Sequence, residues 1–170
     1  MMMVRLIGAA MTLFSGALYA VTVTKEHRQK EGNLEELQMI LEHFVWELQT
    51  NLSPLSICCR ESASCGRGQM AMIFMDLATY LEESCAPTPT DCMVKALAEQ
   101  NLPSILHTRL LQLADNLGRY DLSGQIGGIR AIQELCRRDL QALATERTKT
   151  VKSCQALGLC TGAAIAILLL

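Results

Sequence analysis

The fifteen residues Leu34–Leu48, LEELQMILEHFVWEL, carry apolar side chains at 34, 37, 41, 44 and 48. Steps of three and four keep those five on one side of an α-helix, whereas a strand would need alternation at every second residue. Asn33 stands where an N-cap is wanted and Glu36 follows three residues later, an Asn form of the capping box. The stretch predicts an amphipathic helix with one buried seam, and neighbouring elements must cover that seam.

The neighbours have the same periodicity. Ser53-Pro54 closes this helix and opens another reaching about Ser62, with serine as the cap and proline at the first helical position. Gly66 and Gly68 bracket a break. MAMIFMDLATYLEE follows, a largely apolar helix with Met72, Met75, Tyr80 and Leu81, whose methionines are expected to fill a core. Pro87 and Pro89 make a turn, and Thr90 or Asp91 caps a short helix to Gln100. A further helix starts near Pro103 and stops at Gly118, because glycine most easily takes the left-handed position after a helix. The last begins near Leu122 and presents Ile126, Ile129, Ile132 or Gln133, Leu135, Leu140 and Leu143. No glycine or proline interrupts residues 129–157, so it is expected to run on toward the end of the chain. The fold class expected is all-α, a bundle of about six helices.

The ends differ from this middle. Leu6–Thr24 and Ser153–Leu170 hold no charged residue, and each would make a helix of about 27–28 Å against a hydrocarbon core of ~30 Å. With 170 residues, 50% apolar content and a mean hydropathy of +0.22, the chain has room for one domain plus two membrane spans. A cleavable leader is the rival for the first run. However, ALYA at Ala17–Ala20 puts Leu18 where a small residue is wanted, and the run exceeds a signal core. Lys25, Arg28 and Lys30 flank the first run and Arg147, Lys149 and Lys152 the second, against Arg5 alone outside. The positive-inside bias puts the middle in the cytoplasm of a two-pass cell-membrane protein. The expected organisation is an N-terminal transmembrane helix over 1–24, a cytoplasmic helical domain over 25–152 and a C-terminal transmembrane helix over 153–170.

That placement makes Cys58, Cys59, Cys65, Cys85, Cys92 and Cys136 free thiols, whereas an oxidising compartment would pair them. A secreted, disulfide-bonded helical protein with a cleaved leader is the alternative. No C-x-x-C pair exists and His27, His43 and His107 lie in separate segments, so no metal or cofactor is expected. No H-E-x-x-H, G-x-S-x-G or phosphate-loop motif is present, which points away from an enzyme. A net charge of -2 excludes bulk attraction to nucleic acid. Residues 31–99 hold eleven acidic side chains against three basic ones, and residues 100–152 hold eight basic against five acidic. The two halves either attract each other or leave an acidic face for a basic partner; Glu35, Glu36, Glu42, Glu82 and Glu83 are the candidates for that face. Gly158, Gly162 and Ala166, four apart, form a small-residue stripe that would admit another helix, in this chain or in a second copy.

LADNLGRYDLSGQIGGIRAIQEL, with the closing LGLCTGAAIAILLL, resembles the stage III sporulation protein AB family. The family's Leu-Gly, then Asp, then Gln fall on Leu117, Gly118, Asp121 and Gln125, and its second Leu-Gly and later Gly on Leu157, Gly158 and Gly162. The resemblance implies a non-enzymatic membrane platform in the mother-cell–forespore secretion-like channel complex of endospore formation. Its cytoplasmic domain would be similar to that of the type II secretion inner-membrane platform protein. Partners implied are a secretion-type ATPase and the complex's other membrane subunits. Gly118 is expected to turn the chain, Asp121 to cap the last helix and Gln125 to sit one turn in.

Overall fold

The structure, a computed structural model, describes residues 28–118 and 121–169, with side chains as far as residue 146. It divides into two units, Lys30–Leu140 and Met1–Gln29 with Gln141–Leu170. The described residues form six helices and no strand: α1 (28–50), α2 (Leu55–Ala63), α3 (Gln69–Glu82), α4 (Pro89–Leu97), α5 (Ser104–Asn116) and α6 (Leu122–Leu169). Among the described residues no helix is long and apolar enough to cross a membrane. The run Leu6–Thr24 lies outside the described residues, and Ser153–Leu170 lies outside those with described side chains.

The seam of α1 forms the centre of the Lys30–Leu140 unit. Leu34, Leu37, Leu41, Phe44 and Leu48 are all buried, joined by Ile40 and Val45. Phe74 of α3 meets Phe44 edge-on at 6.4 Å between ring centroids, an arrangement aromatic rings favour. Met70, Ile73, Leu77 and Ala78 complete the buried side of α3, Cys92, Met93, Ala96 and Leu97 that of α4, and Leu106, Leu110, Leu113 and Ala114 that of α5. The last helix contributes Ile129, Ile132 and Cys136, while Ile126, Leu135 and Leu140 are only half-buried.

Four local readings are corrected. Helix α1 is already under way at residue 28, so Asn33 lies inside it and is not its cap. Gly32 alone does not break it, since one interior glycine costs only about 1 kcal/mol. Ser53 does not cap α2: Pro54 holds the cap position and no side chain bonds there. Thr88, rather than Thr90 or Asp91, caps α4, its Oγ1 accepting from the Asp91 N–H at 3.1 Å with Pro89 at the first turn. Met72 and Met75 are 57% and 41% exposed, because the buried face of α3 falls on residues 70, 73, 74, 77 and 78.

Candidate functional site: an acidic interaction face

The acidic residues of the first half divide into two groups. Glu36 is turned into the fold. Helix α3 begins after Gly68 with no side chain of its own to cap it, leaving backbone N–H groups that need acceptors. Glu36 on α1 supplies them. Its Oε1 accepts from the N–H of Arg67 at 2.9 Å, Gly68 at 2.5 Å and Ala71 at 3.4 Å, and its Oε2 accepts from Met70 at 3.3 Å. A carboxylate at a helix N-terminus also meets the positive end of the helix dipole. The two glycines of the break make the approach possible. A Cβ at Gly68 would stand 2.5 Å from Glu36 Oε2, and one at Gly66 2.6 Å from Oε1 and 2.9 Å from Ala71 Cβ. Beside this clamp, Asn33 Nδ2 donates to Gln69 Oε1 at 3.3 Å and Gln69 Nε2 to Gln100 Oε1 at 3.2 Å.

Glu82 and Glu83 also have partners within the fold. Glu82 Oε2 takes Arg60 Nη2 at 2.5 Å, and Glu83 Oε2 accepts from the Cys85 thiol at 3.3 Å, which raises the Cys85 pKa. Both stay exposed, so the Arg60–Glu82 pair adds little stability. Glu35 and Glu42 remain, exposed and one heptad apart on α1. Between and beyond them are two large apolar side chains on the same outward side, Met39 at 50% and Trp46 at 51% exposure. His43 lies beside the indole, ring centroids 5.4 Å apart. Reading the sequence for charge alone missed Met39 and Trp46. The signal was present as a second set of three- and four-residue steps, 35, 39, 42 and 46, offset from the core seam.

In the opposite half, the ion pairs among the described residues are internal to that half. Arg109 reaches from α5 to grip Asp139 of α6 with two bonds, Nε to Oδ2 at 2.9 Å and Nη2 to Oδ1 at 3.3 Å. Each side chain is 16% exposed, so this pair is partly desolvated. Glu134 accepts from Arg137 and Arg138 on its own helix, and Arg137 first and Arg138 second hold its carboxyl down to about 2. These ion pairs join residues of the same half, so the expected attraction between halves is not what they express.

The motif residues occupy the α5–α6 corner. Leu117 is buried, and Gly118 follows with φ +77, a left-handed turn. Asp121 Oδ1 accepts from the Gly124 N–H at 3.1 Å, capping α6, and the Gln125 N–H closes the first turn on the Asp121 carbonyl at 2.9 Å. Gln125 is half-buried. Gly128 lets α6 pass close to the end of α5, since a Cβ there would stand 2.7 Å from Asn116 Oδ1. Leu157, Gly158 and Gly162 lie on α6 beyond the residues with described side chains.

Cys58, Cys59, Cys65, Cys85, Cys92 and Cys136 are free thiols, so the disulfide-bonded alternative has no bridge among the described residues. Burial pushes Cys58 and Cys136 up to about 11 and Cys59 higher still, the opposite of an activated thiolate. No group of His, Cys, Asp or Glu able to hold a metal ion occurs among the described residues.

The comparisons agree with this layout. The family model for stage III sporulation protein AB matches residues 5–170. No curated protein matches the chain. A solved structure titled "Stage III sporulation protein AB (SpoIIIAB)" superposes with a TM-score of 0.63 at 14% identity, covering 71% of this chain and 98% of that one. At that identity the likeness shows the fold, while the family match spans nearly the whole sequence, its ends included. A six-helix bundle with the Leu-Gly turn and capping aspartate at its last corner, matched from residue 5 to the final leucine, belongs to the stage III sporulation protein AB family, whose role is in sporulation.

Proposed function

We propose that this chain is a non-enzymatic platform subunit of the secretion-like channel complex between mother cell and forespore. It would be a two-pass membrane protein whose helical domain faces the mother-cell cytoplasm and docks a secretion-type ATPase. The observation that carries the reading is α6, one uninterrupted helix from Leu122 to Leu169. The same helix that contributes Ile129, Ile132 and Cys136 to the core continues into the apolar terminal run. A docking domain that shares a helix with its anchor suits a platform better than a diffusing protein. The glutamates left outward on α1 give a basic partner a place to land.

The test uses the tagged full-length chain in sporulating cells. Expected outcomes are retention in the membrane fraction after carbonate washing, and co-purification of a secretion-type ATPase after crosslinking. Labelling of Cys65 or Cys85 by a membrane-impermeant thiol reagent in intact cells would refute the orientation. Failure of the ATPase to crosslink from any position on the domain would refute the partner.

A further inference from the structure

We infer that the outward stripe of α1, Glu35, Met39, Glu42 and Trp46, seats a cationic amphipathic helix of a partner protein; this rests on the platform reading and names the chemistry its partner must present. The stripe steps by four, three and four residues, the spacing with which one helix packs along another. It lies on the side of α1 away from the buried residues 34, 37, 41, 44 and 48. Its length from Glu35 to Trp46 is about 17 Å, three turns of helix. Half-exposed Met39 and Trp46, the chain's only tryptophan, are the apolar content of a contact without a cover in this unit.

Charge selects the occupant. Two copies of the stripe laid parallel would set carboxylates against carboxylates, and laid antiparallel would set each carboxylate against Met39 or Trp46, so neither self-pairing gives Glu35 or Glu42 a cation. An anionic lipid surface or a nucleic-acid backbone meets like-charge repulsion. A helix bearing Lys or Arg and Leu at matching spacing satisfies every member. Its cations pair with Glu35 and Glu42 and lie over the Trp46 indole face, and its apolar residues cover Met39. His43 against the indole helps hold that ring in place. No ion pair among the described residues engages Glu35 or Glu42, whereas Glu36 and Glu82 have partners in the fold.

The experiment uses the full chain in zwitterionic detergent micelles. It is titrated with a synthetic peptide about four turns long whose Lys and Leu follow the stripe, and with a scrambled peptide of the same composition. The expected result is a saturable blue shift of Trp46 emission with the patterned peptide alone, weakened by added salt. Glu35→Lys with Glu42→Lys should weaken binding by about tenfold or more, and Trp46→Ala should do the same by calorimetry. Circular dichroism checks that each variant is folded, as substitutions at exposed positions should be. Equal binding of the scrambled peptide, or unchanged affinity after charge reversal, would overturn the assignment. So would an emission shift that grows with protein concentration alone, the mark of self-association. If the ATPase co-purifies equally with the charge-reversed chain, the stripe is wrong and the platform reading stands. If the patterned peptide binds as expected while no ATPase is recovered with the wild type, the stripe is supported and the ATPase reading fails.

Discussion

Removing the Glu36 carboxylate should loosen α3 from α1, and the geometry says by how much. Glu36→Ala takes the acceptor from four backbone N–H groups, two of them, on Arg67 and Gly68, close enough to water to be re-solvated. Those on Met70 and Ala71 are partly buried. At roughly 1.5–3 kcal/mol for a hydrogen bond to a charged group, discounted for the exposed pair, the loss should be about 2–3 kcal/mol. Glu36→Gln keeps the shape and one acceptor oxygen but loses the charge, and should cost about half as much. The sharper test is a double-mutant cycle with the glycines. The three atoms nearest to a Cβ at Gly68 all belong to Glu36, so Gly68→Ala should cost about 1–3 kcal/mol in the wild type and clearly less beside Glu36→Ala. Gly66→Ala should stay costly in both backgrounds, because Ala71 Cβ at 2.9 Å and Ile40 Cδ1 at 3.0 Å remain. The assay is urea unfolding of a fragment spanning residues 25–152, followed by far-ultraviolet circular dichroism. Strictly additive costs for Glu36→Ala and Gly68→Ala would refute the clamp.

Three further outcomes are expected. Gly118→Ala should destabilise by about 1–2 kcal/mol, because φ +77 suits glycine and strains alanine, and the same urea curves would show it. Arg109→Ala should cost about 2 kcal/mol by stranding the partly desolvated Asp139. Adding Asp139→Ala should recover part of the loss, an interaction readable from the cycle. Stability should fall as pH rises from about 9 to about 11. Folding raises the Cys58 and Cys136 pKa to about 11 through burial, so the unfolded chain loses these protons first; each buried thiol then contributes about 1–3 kcal/mol of loss. Replacing both with alanine should reduce the difference in unfolding free energy between pH 8 and pH 10, Cys59 supplying what remains, and an unchanged slope would contradict the burial argument.

Periodicity made the fold readable. The five seam positions of α1 are all buried, and Gly118, Asp121 and Leu122 mark the α5–α6 corner as their residue types suggest. Local rules misled where a residue serves a distant element. Asn33 and Glu36 have capping-box spacing, yet both reach α3, more than thirty residues on, because α1 begins upstream and has no need of them there. The face was half-visible for a related reason. Counting carboxylates cannot tell Glu36, committed to backbone amides, from Glu42, which faces solvent; only packing separates them. Trp46 was hidden by its own apolarity, since a large aromatic on a core helix is expected inside.

The Arg109–Asp139 grip sits one residue before Leu140, where α6 leaves the Lys30–Leu140 unit. Tension drawn along that helix from its far end would load this guanidinium–carboxylate fork before it reached Cys136, Ile132 and Ile129 deeper in. The bundle would then yield by peeling, one fastening at a time from that end, and the force at which it first gives would be set by a single polar bracket rather than by the oily interior.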